Sequence, residues 1–304
     1  MRERVLAAVD ELGYNRDFLA QALRRGKTLS VGFIVGDISN PLFATIVKAA
    51  EERLRAEGYT MLLTNSDGDP DLDVAHLRLF DQHRVDGVIV SLAEEGHEAT
   101  VQLLESIGTP LVVLDRDISS RVKASRVFSD HQMGMRPAVD HLLDLGHRNI
   151  GVVLAQPGRP TRERLAAVER AFAARSLAKT YQLVDGRDSI RQHGSELMRS
   201  LLEGGNPPTA VIVGGNQPLV GALEVVREKG IVLGRDLSLL SCDEVGVTEL
   251  FDPPIAVVRR DVAEIGRVAA DVLLAKLRGE EAPDEVMLST EFVARPSCGP
   301  PLRS

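Results

Sequence analysis

The feature that most constrains this chain is the alternation of short, continuous Val/Ile/Leu runs with longer stretches whose apolar residues recur at helical spacing. One series is LSVGFIV (29–35), TMLLTN (60–65), GVIVS (87–91) and PLVVLD (110–115). A second is NIGVVLA (149–155), YQLVD (181–185), AVIVGG (210–215) and LSLLSCD (237–243). Runs that are apolar at nearly every position, not every second one, are strands covered on both faces. Between them lie amphipathic stretches such as FATIVKAAEERLRAEG (43–58) and RPAVDHLLDLGHR (136–148), which end near Gly. Strand–helix–strand alternation means a parallel sheet with helices on both faces. Two series predict an α/β chain of two doubly wound parallel-sheet lobes. The tail EVMLSTEFVARPS (285–297) reads as one more long strand.

Charge divides the chain differently. Residues 1–28 carry six basic residues against four acidic ones, a net of +2, so the other 276 residues hold −10 of the total of −8. The acidity therefore belongs to the body and leaves a nucleic-acid contact open at the N-terminus. A boundary is expected near Gly26–Thr28. The start, MRERVLAAVDELGY, is broken by charges and lacks the apolar core of a secretory signal, and no run approaches eighteen apolar residues. With only Cys242 and Cys298, the expectation is a chain with reduced thiols in the cytoplasm, Cys242 being buried in the apolar run LSLLSC.

In open parallel sheets, ligands bind beyond the carboxyl ends of the strands. Those ends carry Asp37 and Asn40, Asn65, Ser91, Asp115 and Arg116 in the first series, and Asn216 and Asp243 in the second. Asp and Asn are also ordinary helix caps and turn residues. As a set, they predict a cleft for a small polar molecule between two lobes.

The words ERVLAAVDELGY, LxxxLRRGKT, VGFIVGDISNPLFATI, HRVDGVIV, PLVVLDRD, DHLLDLGHRNIGVV, RERLAAV, GGNQPLVGALEVVREKGI and LSLLSCDE occur in one order along the whole chain. In that order the chain resembles the lactose-repressor/galactose-repressor (LacI/GalR) family of transcription regulators. The resemblance implies a DNA-binding head, a hinge helix, a two-lobed sensor of periplasmic-binding-protein-like type, and no cofactor. It implies division into 1–28, a remnant of the head plus the hinge, and 29–304, the effector-binding and dimerisation domain. Within the latter, an N-lobe is expected at about 29–127 and 260–284, and a C-lobe at about 128–259 and 285–304. A homodimer on palindromic operator DNA is implied, with helix 73–84 a candidate face.

Under this resemblance LAQALRRGKT (19–28) is the hinge. Leu23 would wedge into the minor groove, where unstacking is repaid by contacts on the kinked duplex. Arg24, Arg25 and Lys27 would meet phosphates. The alternative is a solvated basic helix end. ERVLAAVDELGY (3–14) matches the helix that follows the family's helix-turn-helix, and the base-reading motif itself is expected to be missing through a late start, a trimmed sequence or a natural loss.

The implied effector contacts are Asn40, Leu42 and Phe43 in SNPLF, Asp115 and Arg116, Asp130, Arg164 in RERLAAV, Asn216, Asp243 and Arg260. Three positions depart from the family. Ser189 stands for an aromatic platform, Arg260 for a Gln, and His131 for an Asn. Loss of the aromatic disfavours a flat base, and the three arginines suit a sugar acid or sugar phosphate. A neutral sugar, with Arg260 paired to a wall carboxylate such as Asp130, stays open.

Other chemistries are poorly supported. DGDPDLD (67–73) resembles a calcium loop but has Leu72 where Gly is required and Arg78 where Glu should close it. The seven His show no metal spacing, and neither GxxxxGK[ST] nor GxSxG occurs. The expectation is a regulator and not an enzyme. The competing reading is a cytosolic or transport-type solute-binding protein without sequence-specific DNA binding.

Overall fold

The structure, a computed structural model, describes residues 27–155, 158–177, 182–186 and 191–302. The first half runs β1 (Ser30–Val35), α1 (Pro41–Ala56), β2 (Thr60–Asn65), α2 (Pro70–Gln82), β3 (Gly87–Val90), α3 (Glu98–Ser106), β4 (Leu111–Leu114) and β5 (Ser125–Ser129). The second runs α4 (His131–Asp144), β6 (Ile150–Ala155), α5 (Arg159–Ala174), β7 (Gln182–Gly186), α6 (Arg191–Glu203), β8 (Ala210–Gly214), α7 (Asn216–Glu228), β9 (Ser238–Ser241), α8 (Gly246–Leu250) and β10 (Ala256–Arg260). The chain closes with α9 (Val262–Arg278), β11 (Glu285–Leu288) and β12 (Thr290–Val293).

These strands form two six-stranded sheets, ordered β11-β5-β4-β3-β1-β2 and β12-β10-β9-β8-β6-β7. All pairings are parallel except β10 with β12. The period-two geometry of a strand divides β1 between two cores: Val31, Phe33 and Val35 pack with α1 and α9, while Ile34 packs with α2 and α3. The second sheet is covered likewise, by α4 and α5 on one face and by α6 and α7 on the other. Two glycines permit the close packing. A Cβ on Gly32 would fall 2.3 Å from the Phe80 ring, and one on Gly266 would fall 2.2 Å from the Ile46 carbonyl, where α9 crosses α1.

The chain passes between sheets three times, at β5→α4, β10→α9 and β11→β12. Three expectations are corrected here. The tail is two strands, not one: β11 pairs with β5 in the first sheet and β12 with β10 in the second, so 285–288 do not sit with the second lobe. Strands β5 and β10 were not anticipated, because SRVFS and AVVRR are short and interrupted by charge. Helix α4 starts at His131, not Arg136: the Asp130 carboxylate caps it, accepting from the backbone N–H of Gln132 at 3.2 Å and of Met133 at 3.0 Å, and Pro137 is carried inside the helix. Among the described residues no helix is long and apolar enough to cross a membrane.

Candidate functional site

In both sheets the strand order reverses beside the first strand of the series, β1 and β6. Crevices outside the carboxyl ends of parallel strands form at such switch points. Here the two crevices face each other and enclose one cavity of about 540 Å³. Asp37, Ser39 and Asn40 enter it after β1, Ser91 after β3, and Asp115 and Arg116 after β4. Gly214, Gly215 and Asn216 enter from β8 and Asp243 from β9. Helices α1 and α7 both begin at the cavity, so their free N–H groups and positive dipole ends face it. Asn40 caps α1, its Oδ1 accepting from the Leu42 N–H at 3.0 Å, and the same oxygen accepts from Asn216 Nδ2 at 2.6 Å. That bond links the two lobes directly. The Asn216 Oδ1 is buried and has no partner among the described residues.

The floor of the cleft is a chain of charges, Arg164 and Asp243 buried and Asp115 and Arg260 half-buried. Arg260 Nη1 donates to Asp115 Oδ2 at 2.5 Å, and Arg260 Nη2 lies 3.3 Å from Asp243 Oδ1. Arg164 Nη2 is 3.3 Å from both oxygens of Asp243 and donates to the Cys242 carbonyl at 3.4 Å. Asp115 accepts as well from the Ser129 N–H at 2.6 Å and its hydroxyl at 3.0 Å. Burial alone would raise the Asp115 carboxyl, but His131, Arg260 and the Ser129 N–H outweigh it and hold the carboxyl far below the usual range. His131 lies beneath, Nε2 3.5 Å from Asp115 Oδ2, at ion-pair distance without hydrogen-bond alignment. Burial pushes its imidazole down, helped by Arg164 and Arg260 and opposed by Asp115. Asp115 is held at a φ of +44°, a left-handed conformation that costs a non-glycine residue on the order of 1–3 kcal/mol. Its three donors, the Ser129 N–H and hydroxyl and Arg260 Nη1, account for that geometry. Arg116, half-buried, donates to the carbonyls of Leu92 at 2.9 Å and Asp115 at 3.0 Å.

A second charged chain crosses between the lobes at the rim. Glu95 Oε1 accepts from the N–H groups of Asp117 at 3.0 Å and Arg159 at 2.7 Å, and Glu95 Oε2 pairs with Arg162 at 2.7 Å. Arg162 also reaches Asp117 at 2.6 Å. Arg159 pairs with Asp117 at 3.3 Å and stacks over the Phe128 ring at 4.0 Å.

The cleft therefore gathers Asn40, Leu42, Phe43, Asp115, Arg116, Arg164, Asn216, Asp243 and Arg260. Asp130 is not among them. Its carboxylate is spent capping α4 and faces a separate groove, and the wall partners of Arg260 are Asp115 and Asp243 instead. Ser189, Leu23, Arg24 and Arg25 lie outside the described residues. Lys27 donates to the Leu277 carbonyl at 3.2 Å. Ser129 was missed as the clasp of Asp115, and Ile46, Ile265, Pro160, Thr161 and Gln217 were missed as lining. A signal existed for Gln217, adjacent to Asn216. The apolar lining residues read only as helix core. Cys242 is buried, and burial pushes its thiol up to about 11. Among the described residues no group of three or more His, Cys, Asp or Glu side chains is placed to hold a metal ion.

Residues 139–298 match a family model described as a periplasmic binding protein-like domain. The chain is 28% identical over 302 residues to the HTH-type transcriptional repressor PurR of Haemophilus influenzae (strain PittEE), covering 97% of this chain and 89% of that protein. It is similar to a LacI family transcriptional regulator from Enterococcus faecium solved with bound ribose, at a TM-score of 0.80 and 25% identity, over 90% of this chain and 100% of the other. The Lac repressor bound to ONPG in its repressed state shares the fold at a TM-score of 0.84 and 24% identity, over 97% of this chain and 90% of the other.

Proposed function

For a chain that belongs to the LacI family of transcriptional regulators and carries a periplasmic binding protein-like domain, we propose that the interlobe cleft binds a small neutral sugar and that this binding alters affinity for operator DNA. Regulators of this family bind operator DNA and small effectors such as sugars. The observation that carries the reading is the alternation Arg164–Asp243–Arg260–Asp115 along the cleft floor. The two carboxylates offset the two guanidiniums, so this row presents alternate acceptors and donors and little net charge. Neighbouring sugar hydroxyls both donate and accept, and they match such a row. Phe43, Ile46 and Ile265 supply apolar surface for the ring carbons. The cavity size falls within the roughly 300–1,000 Å³ usual for small-molecule sites. The Enterococcus faecium relative was solved with ribose, which supports the same class of ligand.

A thermal-melting screen tests the effector. A pentose or hexose at a hundred times its dissociation constant adds about 2.7 kcal/mol to stability. Stabilisation by sugar acids or sugar phosphates alone overturns the neutral reading and favours Arg116 as an anion ligand. We assign effector contact to Asn40, Leu42, Phe43, Arg164, Asn216, Asp243 and Arg260, and Asn216→Ala is expected to abolish the sugar response without unfolding the protein. For DNA, the hinge proposal predicts that Leu23→Ala weakens operator binding while sugar affinity stays unchanged. Equal operator affinity for the two proteins removes the wedge, and no operator binding by either favours a sensor that acts without DNA. We propose a homodimer, as the palindromic operator implied by the family resemblance would require, and sedimentation across concentration reads it.

A further inference from the structure

We propose that the groove between α4 and α5 is a second binding site, for a small organic anion with an apolar body. The groove has a volume of about 720 Å³ and shares no lining residue with the interlobe cleft. It lies between helices that run side by side in the same direction, since Arg175 at the end of α5 pairs with Asp140 at 3.0 Å and Asp144 at 2.6 Å near the end of α4. One wall is the i, i+3 pair Met133 and Arg136 of α4. The other is the stripe Glu163, Ala167, Arg170 and Ala174 of α5, whose two alanines keep the space open.

The charges in the groove are unequally engaged. Asp130 is occupied as the cap of α4, and Glu163 accepts from the Gln132 amide. Arg159 is tied to Asp117 and to the Phe128 ring. Arg136 and Arg170, on facing walls, have no ion-pair or hydrogen-bond partner among the described residues. Two free guanidiniums opposed across a groove suit a phosphate or carboxylate, which each can meet with two donors. Beside them, Met133 and Met287 are 57% and 44% exposed. Methionine is flexible and polarizable and packs well on varied apolar or aromatic surfaces. Asp130 and Met287 complete the lining, and the volume is that of a small-molecule site, so the proposed occupant is a small molecule. Met287 belongs to the first sheet and the two helices to the second, so a bound anion touches both lobes where the chain crosses between them.

Calorimetry on the full chain tests this with phenyl phosphate, inorganic phosphate and phenol as probes. Phenyl phosphate is expected to bind more tightly than either fragment. R136Q and R170Q are each expected to weaken it about tenfold, the loss of one charge-assisted contact, and Met133→Ser to erase its advantage over inorganic phosphate. Both arginines are exposed and make no structural bond among the described residues, so the variants keep the fold. Asn216→Ala, in the cleft, should leave the binding unchanged, which separates this site from the sugar reading. No binding at millimolar probe, equal binding by wild type and both arginine variants, or loss with Asn216→Ala instead of the arginine variants overturns the proposal.

Discussion

Two arginine–carboxylate chains tie the lobes together, one along the floor of the cleft and one along its rim. Their chemistry is alike and their surroundings are not. On the floor, the side chains of Arg164 and Asp243 are 8% and 5% exposed; at the rim, those of Arg162 and Asp117 are 53% and 49% exposed. Water screens the rim and reaches the floor far less. Removing one partner of a buried pair strands a charge that neither water nor protein satisfies, whereas an exposed pair exchanges its partner for solvent. The rim is also built partly from main-chain donors, because Glu95 accepts two backbone N–H groups as well as Arg162. The comparison separates charges that define the site from charges that adjust how the lobes meet.

The sharpest way to break it is Asp243→Asn. That change leaves buried Arg164 and half-buried Arg260 without their shared carboxylate, and the expected cost is about 3–5 kcal/mol of stability in urea unfolding. A loss below 1 kcal/mol would mean that water screens the floor as it does the rim. Next is Glu95→Ala at the rim, expected to cost about 1–3 kcal/mol because two backbone donors lose their acceptor. Parity with Asp243→Asn would erase the distinction between the two chains.

A pH series sharpens the same contrast. Burial holds the folded-state pKa of His131 below its usual 6.5, so its contribution is present above that pH and is lost as pH falls through the folded value. His147 is depressed by burial in the same direction. Stability should therefore fall as pH drops below the usual imidazole value of 6.5, and His131→Asn should make that fall shallower. The depressed Asp115 carboxyl gives way only further down, below the ordinary carboxylate range. An identical drop in the variant would show that His131 binds its proton equally in the folded and unfolded protein. The smallest effect is expected from Arg162→Gln, about 0–1 kcal/mol, vanishing in 1 M salt where screening acts over about 3 Å. Persistence at high salt would place the rim pair among the buried ones.

How far the chain could be read in advance follows the same division between local and distant. Strands β1, β6 and β8 announce themselves, since each is a continuous apolar run buried between two helical layers, whereas β2, an apolar run as well, lies at the sheet edge with Leu62 and Leu63 exposed. β5 and β10 did not, because Arg126 and the Arg259–Arg260 pair interrupt runs only five residues long. The polar residues at strand ends pointed to the cleft for a geometric reason: in a parallel sheet all those ends lie on one side. Asp130 shows the limit of that reasoning. It follows β5 as the other polar residues follow their strands, yet its carboxylate turns onto the N–H groups of Gln132 and Met133 and leaves the cleft.

By itself, then, the sequence determined the number of lobes, the parallel character of the sheets and the set of polar side chains delivered to the cleft, because apolar periodicity and strand-end position are local properties. Only the tertiary structure decided which of those charges neutralise one another. Asp115 meets Arg260 across 145 positions of chain and Arg164 meets Asp243 across 79, and the split of the tail into β11 and β12 depends on which sheet edge each segment reaches. Such pairings depend on distance in space, which the packing of the helices against both sheets establishes and the order of residues alone does not reveal.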